Sequence, residues 1–139
     1  MKIYCIEEFK VEFEKLNSKK SYNNLEQDII NYFFERAYSD LCSGVRLNNS
    51  EDTPYIKKRL NGRGGYRVYF LLIIKQKNVY LMFVHPKTGS EGSENITDES
   101  KAFLYKKVLN CIKVNDLYHL TLNFNKDKLI FMRTEGVEL

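Results

Sequence analysis

The chain has 139 residues, of which 43% are hydrophobic, and a formal net charge of +4. This length and composition suit one compact domain, residues 1–139, with a core of its own. The longest apolar run, YRVYFLLII, contains an arginine and falls short of a membrane span, and MKIYCIEEFK lacks the pattern of a secretory signal. We therefore expect a cytoplasmic protein with no membrane partner.

The first part of the sequence predicts a strand followed by two helices. MKIYCI has the composition of a short strand, and Phe9, Phe13 and Leu16 then recur at helical spacing. A second apolar stripe begins at Leu25, and its pattern predicts a helix that continues to Leu41. Both helices have an apolar face with which they could cover a sheet.

The middle of the sequence predicts a set of strands. The segments GVRL, YIKKRL, YRVYFLLII and VYLMFVH are rich in β-branched and aromatic residues. The connections NNSEDTP, NGRGG and KQKN between them contain turn-forming residues. Connections this short favour an antiparallel meander.

The last part predicts a third helix and a C-terminal hairpin. Thr97 is a suitable helix cap, and Leu104, Val108 and Ile112 form an apolar stripe. LYHLTLNFNKDKLIFMRT alternates on both sides of NKDK, so we expect a β-hairpin within residues 113–139. The order of elements predicts an α+β sandwich, with helices packed on one face of an antiparallel sheet and the other face partly open.

Positive charge is concentrated in one quarter of the chain. Residues 54–90 contain eight Lys or Arg and no Asp or Glu, whereas the flanking regions contain slightly more acids than bases. A local field of one sign indicates a polyanionic partner, with nucleic acid the first candidate. The eight cationic residues are Lys57, Lys58, Arg59, Arg63, Arg67, Lys75, Lys77 and Lys87.

Three of these cations are predicted to converge on one surface. Side chains alternate along a strand, so Lys57 and Arg59 share the face opposite to that of Lys58. The turn NGRGG brings the next strand alongside, and its alternation directs Arg67 to the same face, with Tyr69 beside it. Like charges on neighbouring strands repel one another, which favours a phosphate ligand over a merely solvated surface.

The sequence predicts neither a metal site nor a cofactor. Cys5, Cys42 and Cys111 are far apart and form no CxxC pair, so buried free thiols are expected. His85 and His119 show no HxH or HExxH spacing.

The stretch KKRLNGRGGYRVYFLLIIKQKNVYLMFVHPKTG resembles the central strands of RelE/HigB-type toxins of bacterial toxin–antitoxin systems. The resemblance includes the Gly-Tyr-Arg entry to a strand and a basic residue just after the following strand. It covers residues 1–112, and residues 113–139 extend beyond the usual end. It implies a microbial RNase-like sandwich that cleaves mRNA, typically on the ribosome, and that is silenced by a cognate antitoxin protein.

The resemblance also implies roles for individual residues. Lys57 and Arg59 match the two basic positions of the second central strand, Arg67 matches the Gly-Tyr-Arg arginine, and Lys87 matches the basic residue after the fourth. These residues would stabilise a phosphate under attack by the neighbouring 2′-hydroxyl, with no metal ion. The C-terminal catalytic tyrosine of some members has no counterpart, so the candidates for acid or base are Tyr69, Tyr105 and His85. Further contacts with RNA are expected from Lys58, Arg63 and Tyr55.

Two other functions remain open from the sequence. A ParE-like relative would share the fold but poison DNA gyrase without cutting RNA. A noncatalytic nucleic-acid-binding module would need aromatic side chains for base stacking, and Tyr55 and Tyr69 lie beside the predicted cations.

Overall fold

A computed structural model describes residues 1–60, 65–86 and 96–134, which form a mixed α+β fold. Within these residues, three α-helices and seven strands are present. They are β1 (Lys2–Cys5), α1 (Glu7–Asn17), α2 (Leu25–Phe34), β2 (Val45–Arg46), β3 (Tyr55–Leu60), β4 (Tyr66–Ile73), β5 (Asn78–Pro86), α3 (Asp98–Val114), β6 (Tyr118–Leu122) and β7 (Leu129–Arg133). Among the helices described, none has the length and apolar character to cross a membrane.

The seven strands form one sheet in the order β2-β3-β4-β5-β1-β6-β7. The meander of β2 to β5 and the C-terminal hairpin of β6 and β7 are antiparallel, as predicted. The prediction of a wholly antiparallel sheet is wrong, because β1 pairs with β5 in parallel. The first strand thus joins the meander to the hairpin, and the chain between β1 and β2 supplies the first two helices.

Helices cover both faces of the sheet, so the prediction that they pack on one face is wrong. The core on one face contains Phe9 of α1 and Phe33 of α2, whereas the core on the other contains Leu104 and Val108 of α3. The physical reason is visible in β4, where the seven residues 66–72 are all buried. A strand that is buried on both sides needs a layer on each side.

The helices otherwise begin and end close to their predicted bounds, with one exception. The hydroxyl of Thr97 accepts a hydrogen bond from the Ser100 backbone N–H at 3.0 Å, which confirms the predicted cap of α3. The second helix stops at Phe34 instead of continuing to Leu41, and a short 3₁₀ turn follows at Tyr38–Cys42. Ser and Asp in that segment favour turns because their side chains compete for backbone hydrogen bonds.

The C-terminal hairpin is fastened to α2 by a buried carboxylate. Glu26 accepts a hydrogen bond from the backbone N–H of Leu129 at 2.7 Å, and the Lys128 ammonium lies 3.6 Å from the same carboxylate. The Glu26 carboxylate therefore connects α2 to the first residue of β7. This contact makes the hairpin part of the packed domain.

Candidate functional site

Three polar side chains form a row across neighbouring strands of the sheet. Arg59 of β3 is paired directly with Arg67 of β4, and Arg67 is paired directly with His85 of β5. Directly opposed residues of antiparallel strands have Cβ atoms about 4.5–5.5 Å apart. In the adjacent row, Lys57 is opposite Tyr69. The alternation of β3 and β4 therefore places Lys57, Arg59 and Arg67 on the same face, the face that α3 also covers.

These cations surround a cavity of about 240 Å³. Among the described residues, its lining contains Lys57, Arg59 and Arg67, together with the apolar Val45 of β2. Arg59 is exposed and Lys57 is half-buried, whereas Arg67 is only 9% exposed. A guanidinium has several N–H donors in a planar arrangement that matches a phosphate or carboxylate. Arg67 in the lining of a cationic cavity is thus suited to binding an anion.

The electrostatics at Lys57 reveal a fourth cation that the sequence did not predict. Burial chiefly, and then the positive charges of Lys101, Arg67 and Arg59, lower the pKa of the Lys57 ammonium below its usual value. Lys101 lies in the first turns of α3 and also pairs with Asp98 of the same helix at 3.7 Å. Each neighbouring cation disfavours the charged form of Lys57.

Contacts with β3 fix the start of α3 beside the cavity. The Tyr55 hydroxyl donates a hydrogen bond to the Lys101 carbonyl oxygen at 3.1 Å, and the Tyr55 ring stacks on Tyr105 with centroids 5.5 Å apart. This long-range packing brings Lys101 toward Lys57. No local sequence pattern could predict that Lys101 lies near Lys57, since the two lysines are separated by more than forty residues.

The two tyrosines predicted beside the cations are buried, so the expectation that they could stack on nucleic-acid bases is wrong. Tyr55 is 4% exposed and Tyr69 is fully buried, and both belong to the core under α3. Burial raises the pKa of Tyr69, although the Ile96 backbone and the Arg67 charge act to lower it. Tyr69 therefore supports the neighbouring strands and presents no ring to solvent.

The remaining predicted residues fall into three groups. His85 lies in the row with Arg67, and its ring stacks on Phe83 with centroids 6.0 Å apart. Lys58 points to the other face of β3, where its ammonium lies 5.6 Å from the centre of the Tyr32 ring. Arg63 and Lys87 lie outside the described residues.

A glycine sets the position of β2 against the cavity. A Cβ atom at Gly44 would lie 2.6 Å from Ile56 Cγ2 and 2.8 Å from the Lys57 backbone oxygen. Both distances are shorter than van der Waals contact. Only glycine allows this close approach, which places the following residue, Val45, opposite Lys57 in the ladder.

The comparisons with known proteins identify no relative. No family model, no curated protein and no solved structure matches the chain. In the parts of the chain described here, no group of three or more His, Cys, Asp or Glu side chains is arranged to hold a metal ion. Function must therefore be inferred from the cationic cavity and from the sequence of the strands that build it.

Proposed function

We propose that the protein is the toxin of a toxin–antitoxin system and that it acts as a metal-independent mRNA endoribonuclease on the ribosome. The row of Arg59, Arg67 and His85, with Lys57 beside it, carries this proposal. A cavity lined by three cations attracts a polyanion such as an RNA backbone. The central strands resemble those of RelE/HigB-type toxins. From this resemblance we further propose a RelE-like fold, mRNA as the substrate, the ribosome as the place of cleavage and a cognate antitoxin as the protein partner.

In this mechanism the RNA provides its own nucleophile. The 2′-oxygen attacks the adjacent phosphorus, the bond from phosphorus to the 5′-oxygen breaks, and the products are a 2′,3′-cyclic phosphate and a 5′-hydroxyl. One proton leaves the 2′-hydroxyl and one reaches the departing 5′-oxygen. Arg67 holds the phosphate through its planar guanidinium, while Lys57 or Arg59 stabilises the charge that develops on the phosphate oxygens.

His85 is the best-placed candidate for proton transfer because it is adjacent to Arg67 in the row. Imidazole is also the side chain whose ordinary pKa lies nearest neutral pH. The lowered pKa of Lys57 increases its neutral fraction at a given pH. A bound phosphate would raise that pKa again, so we assign Lys57 an electrostatic role.

The direct experiment uses purified ribosomes programmed with a defined message. We expect wild-type protein to generate new RNA ends that carry a 2′,3′-cyclic phosphate, and we expect Arg67→Ala to generate them at least about 100-fold more slowly. Because Arg67 is buried, circular dichroism and thermal unfolding must show that this variant is folded. Lys57→Gln, at a half-buried position, provides a second variant with the same expected loss of cleavage.

The same experiment separates the alternatives. A noncatalytic binding module would bind RNA but leave the message uncleaved. A gyrase inhibitor would produce DNA damage on expression in cells without new transcript ends. Equal cleavage by wild type and both variants would show that the cationic cavity is not the site of the reaction.

A further inference from the structure

A second cationic cavity lies on the opposite face of β3. Its volume is about 530 Å³, and its cations are Arg36, which follows α2, together with Lys58 and Arg59 of β3. Asp40 is the acidic residue in its lining. Among the described residues of its lining, three cations outnumber one carboxylate, so this cavity also favours an anion.

One aromatic ring holds two of these cations together. The guanidinium carbon of Arg36 lies 5.2 Å from the centre of the Tyr32 ring, and the Lys58 ammonium lies 5.6 Å from it. Burial raises the pKa of Tyr32, so its hydroxyl remains neutral and contributes no compensating negative charge. Within the described residues, neither Arg36 nor Lys58 forms an ion pair. Attraction to the ring thus fixes two like charges close to each other.

Arg59 connects this cavity to the candidate catalytic site. It is exposed and lines both cavities. The short strand β2 pairs with β3 only as far as Lys57, so among the described residues 58–60 lie at an unpaired edge of the sheet on that side. A flexible chain can pass around this edge from one face of the sheet to the other.

We propose that Arg36 and Lys58 form a second phosphate-binding site for the same single-stranded RNA, an inference that rests on the proposed function. The backbone would pass from the cavity of Lys57 and Arg67, around Arg59, to the Tyr32 side of the sheet. Phosphate contacts position a nucleic acid without reading its bases. The second site would therefore increase affinity and fix the direction of the strand, with no effect on sequence preference.

The test measures binding of fluorescent 2′-O-methyl RNA, which lacks the attacking hydroxyl. We expect a trinucleotide to occupy the first cavity and a dodecamer to reach both. The test variant is Arg36→Gln/Lys58→Gln. The matched control, Lys75→Gln/Lys77→Gln, removes the same charge from the β4–β5 turn, at the opposite end of β4 from Arg67.

For the dodecamer, we expect the test variant to lose about tenfold in affinity at 0.1 M salt, because it loses two contacts with a single strand. The slope of log K against log salt concentration should fall in magnitude by about 1.4 for the same reason. The control variant should resemble wild type. The trinucleotide should bind the test variant and wild type equally.

The possible failures are distinguishable. If wild type binds neither RNA, both the proposed function and the second site are wrong. If Arg67→Ala weakens binding but the test variant matches the control, the second site is wrong and the first stands. If poly-glutamate binds as tightly as the dodecamer and loses as much affinity in the test variant, the surface serves an acidic protein and the second site is likewise rejected.

Discussion

The two edges of the sheet both carry charged side chains, but the charges are arranged differently. At the β6–β7 edge, Arg133 pairs with Asp116 at 2.7 Å, and Glu26 accepts a hydrogen bond from the start of β7. At the β2–β3 edge, the charges that lower the pKa of Lys57 are three other cations. Charges of opposite sign pair at one edge, whereas at the other edge the Lys57 ammonium lies near three further cations.

This difference separates two kinds of charge arrangement. The Arg133–Asp116 pair joins two opposite charges within the fold. Each cation near Lys57 disfavours its charged form, and a bound anion would favour that form. Substitutions at the two edges should therefore have opposite consequences for stability and activity.

The largest expected effect comes from comparing an arginine at each edge. Arg67→Ala should reduce ribosome-dependent cleavage by about 100-fold or more, the usual effect of removing a group that stabilises transition-state charge. Arg133→Ala should leave cleavage unchanged, because its partner Asp116 is at the other edge. Rates of appearance of new message ends, measured for both variants at equal folded concentration, check this prediction. A similar loss in both variants would mean that the two edges do not differ in function.

Removing the carboxylate that fastens the hairpin should mainly affect stability. Glu26→Ala leaves the Leu129 N–H without its acceptor and removes a charge partner from Lys128. We expect the free energy of unfolding to fall by about 1–3 kcal/mol, the range for a buried donor left unsatisfied. Denaturant unfolding measures this change. A loss of cleavage by fully folded Glu26→Ala would contradict a purely structural role.

Crowding at Gly44 should link stability to the cavity. Gly44→Ala places a methyl group against the Lys57 backbone, so β2 must move away from β3. We expect a loss of about 1–3 kcal/mol in stability, as for other overpacked positions, together with weaker RNA binding because Val45 lines the cavity. Thermal unfolding and dodecamer binding test both parts. Gly44→Ser places a second kind of side chain at the same position. If both variants are as stable as wild type, Gly44 does not approach the Lys57 backbone as closely as described.

The smallest predicted effect is a gain in stability. The pKa of Lys57 is lowered by folding, so its charged form disfavours the folded state. Lys57→Met should therefore stabilise the protein at neutral pH by up to about 1 kcal/mol. As pH rises through the lowered pKa, folded wild type loses this proton before the unfolded chain does, so the advantage of the variant should decline. Thermal unfolding at several pH values tests the sign, and a variant that is less stable at neutral pH would contradict it.

Alternation along the strands was sufficient to predict which side chains share a face. Lys57, Arg59 and Arg67 line one cavity, and Lys58 points away from it. The packing of α3 on this face of the sheet was not predicted, although the apolar run in β4 favours burial on both faces. Lys101 could not be predicted, because it approaches Lys57 only through the packing of α3 on β3.

Lys57, Arg59 and Arg67 are proposed to bind one RNA phosphate together. A crystal structure with a bound 2′-O-methyl RNA trinucleotide would show whether they do. We predict a phosphate whose oxygens lie about 2.7–2.9 Å from the nitrogen atoms of Arg67 and of Lys57 or Arg59. RNA bound at another surface, with this cavity unoccupied, would contradict the claim.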